Sequence, residues 1–375
     1  MRVLIHALGA EMGGAARHLR AFVPALDRLT TADEFVVVAR HGMELRGGNR
    51  VTVHRVEPQH YASVARRLAF DLRTINAIAT RSGADAIVSL TNFGPITTPV
   101  PHVMFQRNAL YYSPWATRQA SWPTNVAIAA RRRLAFETMR RARLVVTPSE
   151  AMAAMIRRTY DLPVTLFRTL HHACDIEGMS QPLAPEAAAA LDRPGVKLLY
   201  PTHPAPHKGF DILFAMLASI ARHRIDWTLV LPIEPGDWPA GVLRYQQQIE
   251  RLGLRDRVVL LGRVPASQMG TLYRACDLMV YPSLVESFGF PLVEGMACGL
   301  PIVAADTPVN REVCGDGAAF YRATDASHGA AVLMRHFDEQ YRAPLARAAR
   351  LRAMTFPGGW DQYARRFVDV VTSVC

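Results

Sequence analysis

The sequence predicts an α/β chain of two tandem units, each a parallel sheet covered by helices. Short β-rich runs alternate with stretches of helical apolar spacing, the pattern of strand–helix–strand units. The alternation breaks once, at QPLAPEAAAALDRP (residues 181–194), a Pro- and Ala-rich linker with room for a short helix, and then restarts. A length of 375 residues, at about 150 per domain, accommodates two sizeable cores. With 50% hydrophobic and 20% charged residues, the composition is that of a packed protein and excludes general disorder.

In the amino-terminal half, MRVLIHAL reads as a strand. It runs through the glycines of GAEMGG into a helix whose apolar residues Leu19, Phe22, Val23 and Leu26 share a face. Further strands are expected at residues 34–39, 51–56, 86–90, 100–105, 144–147 and 164–167, with helices at 62–81 and 126–143. After the linker, strands are expected at 197–200, 228–232, 258–261, 278–281 and 302–305. Helices are expected near 209–223, 245–253, 268–275 and 291–298. Ligands of open α/β sheets bind beyond the carboxyl ends of the strands, so chemistry is sought in the loops that follow strands, in a cleft expected between the two units.

The net charge is +11, and the basic residues are nearly all arginine, Lys197 and Lys208 being the two lysines. Such a balance suits nucleic acid, an anionic membrane face or a nucleoside diphosphate, and charge alone does not separate these. Cys174, Cys276, Cys298, Cys314 and Cys375 are widely spaced with no CxxC pair. They imply neither a disulfide framework nor a zinc site and fit a reducing cytoplasm. The first apolar run is short and broken by His6, so neither an export signal nor a membrane span is expected.

The most informative segment is YPSLVESFGFPLVEGMACGLPIVAADTP, residues 281–308. It reads as a strand, then a loop with Glu286 and the turn-prone Ser287-Phe288-Gly289. A helix follows, with Pro291 at or near its first position, where the missing N–H costs nothing, and with Glu294 in its first turn. Gly289 lets the backbone approach a ligand, and N–H groups from Phe290 to Val293 at the helix start can receive a diphosphate. Two carboxylates eight residues apart then face different parts of one extended ligand.

This segment resembles the E-x7-E signature of retaining glycosyltransferases of the GT-B fold, specifically glycosyltransferase family 4 (glycosyl transferases group 1). The likeness is almost continuous from Leu261 to Asp306. It implies two Rossmann-like, doubly wound domains facing across a cleft: residues 1–178 on the acceptor side and 190–355 holding the nucleotide sugar. Residues 356–375 (FPGGWDQYARRFVDVV and its end) resemble the family's closing helix, which crosses back to the amino-terminal domain. Glu286 is implied to contact donor-sugar hydroxyls near the reacting carbon and Glu294 the ribose. Ser287, Phe288, Gly289, Phe290, Pro291, Leu292 and Val293 then line the donor site.

In YPTHPAPHKGFDILFAML, residues 200–217, Lys208 matches the family's phosphate-binding lysine, while His203 takes the position of its arginine. Gly13 and Gly14 match the loop near donor phosphates and acceptor. In VPHVMFQRNALYYSP, residues 100–114, the usual cleft histidine is replaced by Gln106, so Gln106 and Asn108 are expected to line the acceptor cleft and His102 to sit in the core or at a strand edge. Ser149 and Asp175 match structural positions, and RRRLAFETMRRAR, residues 131–143, matches a solvated basic helix. The piece VNREVCGDGAAFYRATD resembles mannosyl- and rhamnosyl-type members.

The resemblance therefore implies hexosyl transfer from a GDP-, dTDP- or UDP-linked sugar, mannose- or rhamnose-like favoured, to a hydroxyl acceptor. Retention by front-face attack lets the leaving phosphate take the acceptor's proton. No Asp-x-Asp triplet occurs, so no metal cofactor is expected, and Glu286, Lys208 and His203 are the expected catalytic set. The expected partners are donor and acceptor, without nucleic acid, in the cytoplasm, with peripheral contact at the inner membrane face left open. Two other readings stay open: a nucleotide-sugar epimerase or hydrolase on the same fold, and a non-catalytic basic protein that binds nucleic acid or lipid.

Overall fold

The computed structural model describes residues 1–10, 13–119, 122–234, 236 and 238–375. The chain divides into two compact units, Met1–Ala173 with Gly359–Cys375, and Cys174–Gly358.

The first unit carries β1 (Arg2–His6), β2 (Glu34–Arg40), β3 (Val51–Val56), β4 (Ala86–Ser89), β5 (His102–Phe105), β6 (Leu144–Thr147) and β7 (Phe167–Thr169). All neighbours are parallel, in the order β3-β2-β1-β4-β5-β6-β7. Residues alternate across the strands, and both faces are covered. Val3, Ile5, Val37 and Val88 pack on one side, Leu4, Val38 and Ile87 on the other. The helix Trp360–Thr372 belongs to this unit, where Tyr363, Phe367 and Val371 are fully buried with Phe22 and Phe105.

The second unit carries β8 (Val196–Leu199), β9 (Trp227–Leu231), β10 (Val258–Leu260), β11 (Leu278–Tyr281), β12 (Ile302–Ala305) and β13 (Ala319–Tyr321). They form a parallel sheet in the order β10-β9-β8-β11-β12-β13, with Leu278 opposite Leu198 and Met279 opposite Leu199. Every residue of β9, β11 and β12 is buried, as a sheet covered on both faces requires. No helix among the described residues is long and apolar enough to cross a membrane.

Three details depart from the sequence expectation. Residues 62–81 form not one helix but Val64–Ala69, a π-helical turn at Phe70–Thr74, and Ile75–Ser82. Within the wider turn Asp71 points inward, its Oδ1 3.0 Å from His6 Nε2 on β1 and its Oδ2 accepting from Arg67 Nε at 2.8 Å. The strand expected at 164–167 begins only at Phe167, because Pro163 introduces a 3-10 turn at Val164–Leu166. Finally β13, three residues long, is too short to announce itself by alternation.

Candidate functional site

In the second sheet the strand order reverses between β8 and β11, so connections leave these neighbours in opposite directions and open a crevice at their carboxyl ends. Tyr200 directly follows β8, and Tyr281 ends β11. The two loops beyond them are stitched together: Leu284 N–H donates to the His207 carbonyl at 2.9 Å, and the Tyr200 hydroxyl to the Lys208 carbonyl at 2.7 Å. Gly209, between Lys208 and the helix Phe210–Ile220, holds φ +70°, and a Cβ there would lie 2.2 Å from the Pro282 carbonyl oxygen. Gly209→Ala should therefore cost about 2 kcal/mol or more, combining left-handed strain with a backbone clash. Urea unfolding of the full chain measures this, and unchanged stability would show that the loop can step aside.

The stitching brings Lys208 and Glu286 together. Lys208 Nζ donates to Glu286 Oε1 at 2.6 Å, and the Tyr281 hydroxyl donates to the same oxygen at 2.8 Å. Lys208 is buried, which disposes of an ordinary surface lysine, and the side chain of Glu286 is only 11% exposed. Burial works against the Glu286 charge. The Lys208 ammonium and hydrogen bonds from Lys208, Ser283 and Tyr281 outweigh it, holding the carboxyl below its ordinary range. Burial and the nearby Glu286 charge push the Tyr200 and Tyr281 hydroxyls well up, so both act as neutral donors. His207 is half-buried; burial and then Lys208 bring its imidazole down to about 4, so it is neutral near pH 7. His203 is exposed, its ring centroid 6.2 Å from that of His207.

Around the second carboxylate the expectation needs correction. The helix runs Phe290–Ala297 after Gly289, whose φ of +88° makes it a left-handed cap, so Glu294 falls in the second turn, not the first. It is buried and accepts from the Tyr273 hydroxyl at 2.7 Å. Of the helix-start donors, Pro291 brings none and Leu292 N–H is spent on the Gly289 carbonyl at 3.0 Å. Phe288, Leu292 and Val293 are core residues, Phe288 packing on Phe290 and Phe356 at ring distances of 5.8 and 5.7 Å. Ser287 and Pro291 are half-buried.

In the first unit the order reverses between β1 and β4. Gly13 and Gly14 open the helix Gly13–Asp27; residues 11 and 12 of the same loop lie outside the described residues. Gln106 does not line an open surface. It is fully buried, its amide Nε2 donating to the Asn92 carbonyl at 3.0 Å and its Oε1 accepting from the Tyr112 hydroxyl at 2.8 Å. Asn108 is half-buried and caps the 3-10 turn Ala109–Tyr111 by accepting from Leu110 N–H at 3.1 Å. His102 is buried with its Nε2 2.9 Å from Ser89 Oγ. Ser149 caps the helix Glu150–Tyr160, and Asp175 accepts from Gly178 N–H. In the basic segment 131–143, Glu137 takes Arg133 at 2.8 Å and, just past the helix end at Met139, Arg140 at 2.7 Å and Arg141, so part of the positive charge is neutralised locally.

The sequence signature missed Tyr200, Tyr273, Tyr281 and Ser283, which hold the two acids and the lysine. Their only signal is position, at or beside the ends of elements that flank the matched loops.

The model for "Glycosyl transferases group 1" matches residues 189–351, and that for "Glycosyltransferase Family 4" matches 12–177. A D-inositol 3-phosphate glycosyltransferase of Xylanimonas cellulosilytica is 28% identical over 60% of this chain and 57% of its own length. The O-antigen chain mannosyltransferase RfbU of Salmonella typhimurium is 38% identical over 21% of this chain and 23% of its own. The chain thus spans little more than half of the first relative and under a quarter of the second. Anabaena Alr3699/HepE, solved with UDP and glucose, superposes over 100% of both chains with a TM-score of 0.72 at 21% identity. With two parallel Rossmann-like sheets and these two matches along its length, the chain belongs to glycosyltransferase family 4, the group 1 glycosyl transferases of the GT-B fold.

Proposed function

We propose that the chain transfers a hexosyl group from a nucleoside-diphosphate sugar to a hydroxyl acceptor, retaining the configuration of the reacting carbon and needing no metal. The observation that supports this most is the buried Lys208–Glu286 pair, 2.6 Å apart, at the point where the second sheet reverses its strand order. An ammonium has three donors; one serves Glu286, and the others are offered to the leaving diphosphate. Glu286, kept ionised, accepts hydroxyls of the donor sugar and lies beside the carbon that develops oxocarbenium character. His203, exposed on the same loop, adds a donor to the phosphates. Glu294 holds the ribose.

The bond from the sugar carbon to the phosphate oxygen breaks, that to the acceptor oxygen forms, and the acceptor's proton passes to the leaving phosphate. No side-chain base is needed, which suits a chain whose Gln106 is turned into the core. The O-antigen mannosyltransferase relative and the VNREVCGDGAAFYRATD segment favour a mannose-like donor, while the UDP and glucose in HepE support a nucleotide at such a fold.

Thermal unfolding of the full chain with UDP, GDP, dTDP and their sugars tests the reading. A ligand at 100 times its Kd should add about 2.7 kcal/mol, and transfer to an acceptor in cell extract, read as a hexose mass gain, should persist in EDTA. Nucleotides without effect at millimolar concentration, with salt-sensitive duplex binding instead, would favour a nucleic-acid protein.

A further inference from the structure

Beside the Lys208–Glu286 pair, the carboxyl ends of β8, β9 and β10 form one continuous rim. Leu261 N–H, just past β10, donates at 2.9 Å to the carbonyl of Leu231, which ends β9. The loop after β9 leads through Trp238 into the helix Pro239–Arg251, and the Trp238 ring lies 5.8 Å from that of Tyr245. Tyr245 stacks on Phe210 at 4.5 Å, and its hydroxyl donates at 3.4 Å to the Ala205 carbonyl, in the loop that carries Lys208. The β10 end is thus tied to β9, and the β9 loop to the β8 loop. Glu234 stands between them, shortly after β9, and is half-buried. Its Oε2 approaches Gly262, in the loop after β10, so closely that a Cβ there would lie 3.7 Å away. Gly262 holds φ +71°, and its bare backbone leaves room beside the carboxylate.

This carboxylate is unused by the fold. Among the described residues Glu234 makes no hydrogen bond and no ion pair, in a chain whose net charge is +11. The other two acids of this crevice are occupied, Glu286 by Lys208 and Tyr281, and Glu294 by Tyr273. With neighbouring strands about 4.8 Å apart, the end of β10 lies about 10 Å from that of β8, a separation that a nucleoside spans between its phosphate and the far edge of its base. A nucleotide whose diphosphate meets Lys208 can therefore lay its base along the rim, against Glu234. Guanine presents N1–H and the N2 amino group side by side, two parallel donors that match the two oxygens of a carboxylate. Uracil and thymine present one N3–H between two carbonyl oxygens, so the same carboxylate gains one hydrogen bond and faces two acceptors.

We propose that Glu234 reads the base of the donor nucleotide and selects guanine. The inference rests on the transferase reading above and names its nucleotide. Calorimetry of the full chain with GDP, inosine diphosphate and UDP tests it, on wild type and on Glu234→Gln. Wild type should bind GDP at least about tenfold more tightly than UDP, the scale of one bidentate contact to a base. Inosine diphosphate keeps N1–H but lacks the amino group, so it should fall between the two. Glutamine keeps the size of the side chain and offers one acceptor and one donor, which suits N3–H and a neighbouring carbonyl of uracil. Glu234→Gln should therefore weaken GDP, close the gap between GDP and inosine diphosphate, and hold or tighten UDP. The carboxylate supports no other residue, so the melting temperature without nucleotide should stay that of wild type. UDP bound as tightly as GDP by wild type overturns the proposal, and so does a GDP preference that survives in Glu234→Gln. Equal weakening of all three nucleotides also overturns it, because it marks Glu234 as shaping the loop and not as reading the base. If wild type binds none of the three, it is the transferase reading that falls.

Discussion

Glu286→Gln is expected to lower hexosyl transfer about 10²–10³-fold, the range for losing one preorganised polar contact to a reacting centre. Nucleoside diphosphate binding should stay within a few-fold of wild type. The amide keeps the shape of the carboxyl and one acceptor oxygen, so Tyr281 can still donate to it. What disappears is the counter-charge of Lys208 and, on the proposed reaction, the negative charge beside the developing cation. Lys208 is 7% exposed and is then left in a buried site with a neutral partner, so stability should fall by about 1–3 kcal/mol. Steady-state kinetics with saturating donor, beside urea unfolding of the same preparation, separates the two effects. Transfer at wild-type rate in a folded variant would remove Glu286 from the reaction.

The strand, loop and helix that carry Glu286 and Glu294 are legible in the sequence, for physical reasons. The acids at 286 and 294 sit in one short strand–loop–helix segment, where local rules place a glycine bend and a proline near the helix start. Lys208 stands out as one of two lysines in a chain whose other basic residues are arginines. The register of the helix was less legible. Gly289 delays the start so that Glu294 turns inward to Tyr273, 21 residues earlier, a contact no local pattern encodes. Gln106 reads as a polar residue at a strand end and hence as a cleft group; only the fold shows Asn92 and Tyr112 saturating its amide. Glu234 is illegible for the same reason, since the Gly262 backbone beside it follows a different strand. Parallel sheets bring strand ends together across such distances, so chemistry there is set by topology and not by spacing.

Lys208→Met inverts the balance from the other side, and pH exposes it. In wild type the Glu286 carboxyl is held below its ordinary range because the ammonium and its hydrogen bonds overcome burial. Such a group contributes stability that is fully present above the unfolded carboxyl value of about 4.3 and is lost as pH falls through the folded value. Between pH 5 and pH 8 this group therefore adds no slope. Methionine keeps the length of the side chain and removes the charge. Burial, the largest single influence on Glu286, then acts unopposed by the ammonium and raises the carboxyl instead. A raised group contributes stability below the unfolded value and loses it as pH rises through the folded value. Lys208→Met should accordingly unfold more readily at pH 8 than at pH 5, and the acid limb of its residual pH–rate profile should move to higher pH. Nucleoside diphosphate affinity should drop about 10–100-fold, as expected for one charge-assisted hydrogen bond of about 1.5–3 kcal/mol. If the pH dependence of unfolding matches wild type, the ammonium is not what keeps Glu286 ionised, and the pairing of these two residues loses its role in the reaction.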